Sequence, residues 1–330
     1  MINRITQKLL FLFLFCLILL GAAHGADEHW TEAIKKDLRE HNEYTVKNDY
    51  VADIKKRLET EGATRFADWK KAAELGIPEG QVLFAMCYFY GTHVSADHKE
   101  AVTWIRKAAE QGNADGQLWL AKSYFFCDGV LENKGKVIKW CRKAAEQGHA
   151  IAQYNLGGYY SSGIIIPEDK RETVKWYRKS AEQGNAKAQL ALGMYYLDGD
   201  GIPENKMEVV KWTRKAAEQG LASAQYNLGM YYFYFHDFYL HGSGISEDQA
   251  EAVKWWLKAA EQGHDGAQAL LGECYYKGTG ISKDTAEAVK WLRKAKEQGF
   301  DYEYVTDLLE TIEKELTRTK SAANMRVWGK

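Results

Sequence analysis

The sequence predicts an all-α fold, a solenoid of tandem helical hairpins, and three observations carry that expectation. A basic-aromatic stretch running into Ala-Ala-Glu-Gln-Gly, or a close variant, closes on Gly76, Gly112, Gly148, Gly184, Gly220, Gly263 and Gly299. The steps between these glycines are 36 residues, apart from one of 43 between Gly220 and Gly263. A fixed period of this length marks stacked units that each contact only their neighbours. Within a unit, apolar residues recur at i, i+4 and i+8, as at Ala188, Leu192 and Tyr196, which is one face of a helix. Only three prolines occur in 330 residues, as a chain made almost wholly of helices requires.

The N-terminus stands outside this pattern. Arg4 and Lys8 precede an apolar stretch from Leu9 to Leu20, and Ala23-His24-Gly25 then offers small residues before a cut. That is the layout of a secretory signal peptide over 1–25. The apolar stretch is twelve residues long, short of the roughly 20 a helix needs to cross a bilayer. The mature protein is therefore expected to be exported, periplasmic or secreted, with no membrane span after cleavage. A net charge of −1 gives no bulk basicity for nucleic acid.

Residues 26–76 read as an N-terminal helical cap. Their last part, Phe66 to Gly76, resembles the second helix of a degenerate unit, with Trp69 displaced by one position. Six full units follow, 77–112, 113–148, 149–184, 185–220, 221–263 and 264–299. In the unit from Asn185 to Gly220, a first helix (helix A) ends at Gly199-Asp200-Gly201, where glycine reaches the positive φ of a helix end. A second (helix B) runs from about Glu204 to Gln219 and buries Val210, Trp212 and Ala216. Superposed, the units share glutamine at position 5 (Gln81 to Gln268), tyrosine at position 12 (Tyr88 to Tyr275) and a helix-B tryptophan (Trp104 to Trp291). Repetition at identical positions points to packing rather than chemistry. Basic pairs such as Arg214-Lys215 are followed by acids such as Glu218, so a solvated face explains them better than an anion site. Residues 300–330 complete the array as a capping helix and tail, with Tyr304, Leu308, Leu309 and Ile312 as its apolar stripe.

The pattern Ala-x-x-Leu-Gly-x-x-Tyr, Gly-x-Gly-Ile and Trp-x-x-Lys-Ala-Ala-Glu-Gln-Gly, as it stands in Ala188 to Tyr196, Gly199 to Ile202 and Trp212 to Gly220, resembles the Sel1-like repeat family. That family is related to the tetratricopeptide repeat. The resemblance implies a right-handed α-solenoid and a role in binding other proteins, often at the bacterial cell envelope. Cys127 replaces the first loop glycine of one unit, and Thr92-His93 and Ile164-Ile165 interrupt Gly-x-Gly in two others. Those loops are expected to adopt different turns.

Function is expected on the face of helix A turned away from the packing stripe, which lines the concave side of a helical solenoid. At 100° per residue, positions 3, 7, 10 and 14 of each unit point there. They supply Tyr90, Trp119, Phe126, Asn155, Met194, Asn227 and Met230 as candidate partner-binding residues, since aromatic and methionine side chains are enriched at interfaces. The seven extra residues, Phe233 to Tyr239, include five aromatics. They either lengthen helix A as an aromatic knob or fold back as local packing. On the first reading, Tyr234, Phe235 and Phe238 contact the partner.

No nucleophile, phosphate-loop, zinc or redox motif occurs, so no enzyme, cofactor or metal is expected. His236, Asp237 and His241 are poorly spaced for a metal on one helix face. Beyond the signal peptide the cysteines are Cys87, Cys127, Cys141 and Cys274. Cys127 and Cys141 lie close enough in sequence to bridge; the simpler expectation is that all are small apolar fillers. Cysteine-rich members of the resembled family, linked with β-lactam binding or hydrolysis, pair cysteines at a fixed spacing, and this chain lacks that pattern. The reading is thus an exported protein-interaction scaffold. A glycan- or peptidoglycan-binding envelope protein, with Trp119 stacking on sugars, is the alternative, and a β-lactam-binding or hydrolysing protein ranks behind it.

Overall fold

The computed structural model describes residues 32–38, 51–126, 130–234, 248–298 and 303–328. The signal-peptide segment, Cys127, Phe235 to Tyr239 and His241 lie outside the described residues. Among those described there are helices and turns and no strand. The chain divides into two compact units, Met1–Leu156 with Ile164–Ile166, and Gly157–Gly163 with Pro167–Lys330.

The first unit contains α1 (32–38), α2 (Val51–Glu74), α3 (Pro78–Tyr90), α4 (His98–Glu110), α5 (Ala114–Phe126), α6 (Val130–Glu146) and the start of α7 (Ala150–Ser162). The second contains the end of α7 with α8 (Lys170–Glu182), α9 (Ala186–Asp198), α10 (Lys206–Glu218), α11 (Ala222–Phe233), α12 (Gln249–Glu261), α13 (Asp265–Lys277), α14 (Thr285–Glu297) and α15 (Glu303–Trp328). From α2 to α6 and from α8 to α15 each helix packs on the next, and α3 also meets α5. The odd-numbered helices from α3 to α13 are the predicted helices A; the even-numbered ones from α4 to α14 are helices B.

Two backbone devices set the hairpins. Helix B ends in a left-handed glycine: Gly220 has φ +91°, donates its N–H to Ala217, and lets Leu221 donate to Ala216. That double closure satisfies the last carbonyls of the helix. After helix A, Gly201 adopts φ +67°, and a Cβ there would lie 2.6 Å from the Lys170 carbonyl carbon. Glycine is needed both for the conformation and for the approach to the preceding helix B. The Thr92-His93 loop corrects the expectation of a different turn, because His93 itself holds φ +61° at the position of Gly201. Its imidazole compensates by packing on Phe66 (5.6 Å between centroids) and meeting the Leu58 carbonyl at 3.1 Å. In the Gly163 loop, Ile165 is not left-handed, and that turn does differ.

The framework glutamines explain themselves in three dimensions. Gln225, buried at 5% exposure, donates to the Ala217 carbonyl at 3.1 Å and accepts from Gln262 at 2.8 Å. Gln117, Gln189 and Gln268 repeat both bonds with Ala109 and Gln147, Ala181 and Gln219, and Ala260 and Gln298. Each therefore ties a helix-B terminus to the next hairpin while leaving no buried amide orphaned.

At the N-terminal end, Asp37 of α1 accepts from the Trp69 indole at 2.9 Å and pairs with Arg65 at 2.8 Å, which fixes α1 on α2. At the other end, α15 packs Val305, Leu309 and Ile312 against Ala288, Val289 and Leu292. Val305, not Tyr304, completes that stripe; Tyr304 is 54% exposed and turns its hydroxyl to Glu273. Cys87, Cys141 and Cys274 are buried free thiols, and Cys141 donates to the Ala152 carbonyl.

Candidate partner-binding faces

On helix B several tryptophans are covered. Its tryptophans are roofed by lysines three residues on: Lys107 over Trp104 at 3.8 Å, Lys179 over Trp176 at 4.5 Å, Lys215 over Trp212 at 4.6 Å and Lys258 over Trp255 at 4.0 Å. The neighbouring arginines reach the tyrosine ladder, Arg178 donating to Tyr196 and Arg214 to Tyr232, each at 2.9 Å. The basic pairs thus cover aromatic surface with their stems and cations, a role the sequence reading of a solvated face did not foresee.

In the first unit, the helix-A face is closely packed. Tyr90 is half-buried and meets Trp119 edge-on at 6.4 Å, and Phe89 does so at 5.8 Å. Burial pushes the Tyr90 hydroxyl up to about 12. Trp119 itself is only 7% exposed, with the Lys122 ammonium 4.7 Å from its ring centre. Little of its face is open for a sugar to stack on. Asn155 is half-buried in α7, and Phe126 is the last residue of α5. The side chain of Phe126 lies outside the described residues.

In the second unit the same positions are more open. Met194 is 38% exposed, and its sulfur accepts from the Asn227 amide at 3.9 Å. Met230 packs against the cluster around Trp256 and Leu271. Tyr234 ends α11, its N–H donating to Met230, and is 47% exposed. It forms one wall of a recess of about 250 Å³ shared with Phe233, Trp256, Leu270, Glu273, Cys274, Lys277 and Thr279. Phe235 and Phe238 fall outside the described residues.

The recess combines an apolar floor with a polar rim. Phe233 lies 5.1 Å from Trp256, and Trp256 donates to the Tyr226 carbonyl at 3.2 Å, so the floor is fixed. On the rim Glu273 accepts from Lys277 at 2.5 Å and from the Tyr304 hydroxyl. Burial together with that carboxylate raises Tyr304 to about 12, and burial raises Tyr234. Leu270, Glu273 and Lys277 occupy positions 7, 10 and 14 of their unit, whereas Tyr234 was singled out as part of the aromatic insert. Trp256 was not foreseen; the signal was Gly229, the only residue small enough to lie over its indole. Among the described residues no group of histidines, cysteines or carboxylates could hold a metal, and no helix is long and apolar enough to cross a membrane.

The family model for the Sel1 repeat matches residues 78–113, 114–149, 150–185, 186–221, 222–264 and 266–300. A crystal structure of a Sel1 repeat protein from Oxalobacter formigenes is similar, with 30% identity and a TM-score of 0.65 over 74% of this chain and 69% of that one. A protective antigen present in uropathogenic Escherichia coli strains, with an SLR fold, is 31% identical with a TM-score of 0.61. The match covers 79% of this chain but only 58% of that one. No curated protein matches. Proteins built of these repeats generally mediate protein–protein interaction and are generally non-enzymatic. With six matched segments in tandem and the hairpin architecture that goes with them, this all-α solenoid chain belongs to the Sel1 repeat family.

Proposed function

We propose that the protein is an exported scaffold that binds a protein partner along its helix-A faces. The observation that carries this reading is the recess beside Tyr234. Its rigid aromatic floor, exposed tyrosine and polar rim have the make-up of an anchor pocket at a protein interface. Tyr234 and Met194 stand exposed on helices A, whereas the helix-B tryptophans are roofed by lysines. The N-terminal segment, with its signal-peptide layout, supports export. No observation favours catalysis or glycan stacking over this.

Photo-crosslinking tests the reading. A benzophenone amino acid is placed singly at 194, 234 or 207, the last an exposed methionine of helix B. Mature protein carrying each is irradiated in an envelope extract. Adducts to one protein from 194 and 234, and not from 207, are expected. Adducts from 207 alone, or none from any position, would overturn the reading.

A further inference from the structure

The residue just ahead of each helix A, position 1 of its repeat, is placed to cap that helix. Asn113 and Asn185 accept N–H bonds at 2.9 Å from Gly116 and Ala188. Ile77 and Leu221 make no side-chain cap. Two repeats use an imidazole: Nδ1 of His149 accepts from Ala152 at 3.4 Å, and Nδ1 of His264 from Ala267 at 3.3 Å. A backbone N–H only donates, so in this arrangement the ring proton sits on Nε2 and Nδ1 holds a lone pair. At His149 the other nitrogen agrees, with Nε2 2.9 Å from a carboxylate oxygen of Asp115.

His264 differs in its surroundings. Its ring is half-buried and stacks on Tyr226 of α11, with 4.5 Å between centroids and 16° between planes. A Cβ on Gly266 would lie 3.3 Å from Tyr226 and 3.5 Å from the imidazole, so the ring fits closely against the first turn of α13. On α13 itself, an Asp265 carboxylate oxygen stands 3.8 Å from Nδ1 and accepts the Gly266 N–H at 2.7 Å. The end of α12 meets His264 through backbone, the Ala259 carbonyl accepting its N–H at 3.0 Å, and the adjoining Gly263 faces the neutral Gln298. Tyr226 and Asp265 are thus the titratable groups facing the ring among the described residues. Burial holds the imidazole below its ordinary 6.5, against the opposing pull of Asp265.

We propose that His264 is an acid-released clasp on the start of α13, closed by the neutral imidazole and opened when a proton occupies Nδ1. The proton comes from solvent and takes the lone pair that accepts from Ala267. Nδ1–H then faces the Ala267 N–H, donor against donor, and the cap is lost. Asp265 is within reach of the new donor, but its oxygen must give up the Gly266 N–H to accept it. The charge also stands at the positive end of the α13 dipole. An asparagine cap such as Asn185 makes the same bond and has nothing to titrate. One joint design therefore occurs in acid-indifferent and acid-sensitive forms. The sensitive joint at α13 belongs to the helix that carries Leu270, Glu273, Cys274 and Lys277 of the recess.

The test is an NMR titration of the isotope-labelled mature full chain from about pH 8 to 4.5, beside His264→Asn and Asp265→Asn. In the wild type the ring proton should be on Nε2 at the start. On acidification the Ala267 amide proton should move upfield along the same curve as the His264 ring, while the Ala188 amide, capped by Asn185, stays. His264→Asn should abolish the Ala267 change. Asp265→Asn should keep the cap at the start and lower the midpoint, because the charged ring loses its acceptor. Urea melts give a second readout. Below about pH 6.5 the unfolded chain binds a proton that the native ring resists, so the wild type loses stability that His264→Asn keeps. Its folded-to-unfolded ratio should fall about fivefold relative to that variant, the effect of one cap. Circular dichroism confirms that the variants fold, and the wild-type titration decides alone if one does not. A ring that titrates while Ala267 stays fixed, a ring proton found on Nδ1 at the start, or parallel urea curves would each overturn the clasp.

Discussion

Gly157 and Gly158 are neighbours in α7 with opposite surroundings. A Cβ on Gly157 would lie 2.7 Å from Cδ1 of Tyr177, a ring that is 7% exposed and has nowhere to retreat. On Gly158 the nearest atom would be the Tyr177 hydroxyl at 3.7 Å, an ordinary contact. Alanine is favoured over glycine inside a helix by about 1 kcal/mol. At Gly157 overpacking outweighs that gain, so Gly157→Ala should destabilise by about 1–3 kcal/mol. At Gly158 the propensity survives, and Gly158→Ala should be neutral or stabilising by up to about 1 kcal/mol. Urea melts of the two single variants check the pair; equal shifts of the same sign would refute the packing account. The same crowding recurs at the ninth position of the three units that follow. Gly193, Gly229 and Gly272 face Thr213, Trp256 and Leu292, and each would bring a Cβ to 3.0 Å or less from the side chain opposite.

At the scale of the element, the helices B α4, α8, α10, α12 and α14 begin on a side-chain cap. Asp97, Asp169, Asn205, Asp248 and Asp284 sit in extended backbone and accept N–H bonds from the first turn, Asn205 from Glu208 at 3.2 Å. Removing such an acceptor costs about 1 kcal/mol. Asn205→Ala should lower stability by that amount, measured by urea melts, and Asn205→Asp should restore it or exceed it. Helix B was readable from sequence because one face is apolar and the other charged. Helix A was harder, since apolar residues such as Leu190, Met194 and Leu197 also stand outside the buried face of α9 formed by Ala188, Leu192 and Tyr196; the repeat, more than amphipathicity, located it. The tyrosine and glutamine ladders were legible as framework, though their bonding partners were not. The helical wheel failed at Trp119. It counted positions within one helix, whereas Phe89 and Tyr90 of the preceding helix A close over the ring. The recess was legible in half, through positions 7, 10 and 14. Its floor was hidden because Trp256 reaches it from helix B through the space a glycine leaves.

For the molecule as a whole, the buried thiols make stability a function of pH. Burial raises Cys87 to about 11 and Cys141 and Cys274 to about 12, from an ordinary value of 9.0. Below about pH 8 these groups are protonated in both states and contribute no slope. As pH climbs through the unfolded value, the unfolded chain loses protons that the native chain keeps. The unfolded state then binds fewer protons, and stability falls until the native thiols themselves ionise. Tyr90 and Tyr304, both at about 12, act with the same sign at higher pH. Lys122, lowered by burial, acts with the opposite sign. A comparison is therefore sharper than a single curve. The urea midpoint of the wild type should hold between pH 7 and 8 and fall between roughly pH 8.5 and 10.5. Cys141→Ala/Cys274→Ala should start lower, because it opens small cavities, yet fall less steeply across that range. Its shallower slope is the diagnostic, since cavity loss alone shifts the curve without tilting it. Parallel curves for the two proteins would mean that these thiols ionise alike in both states, contrary to their burial.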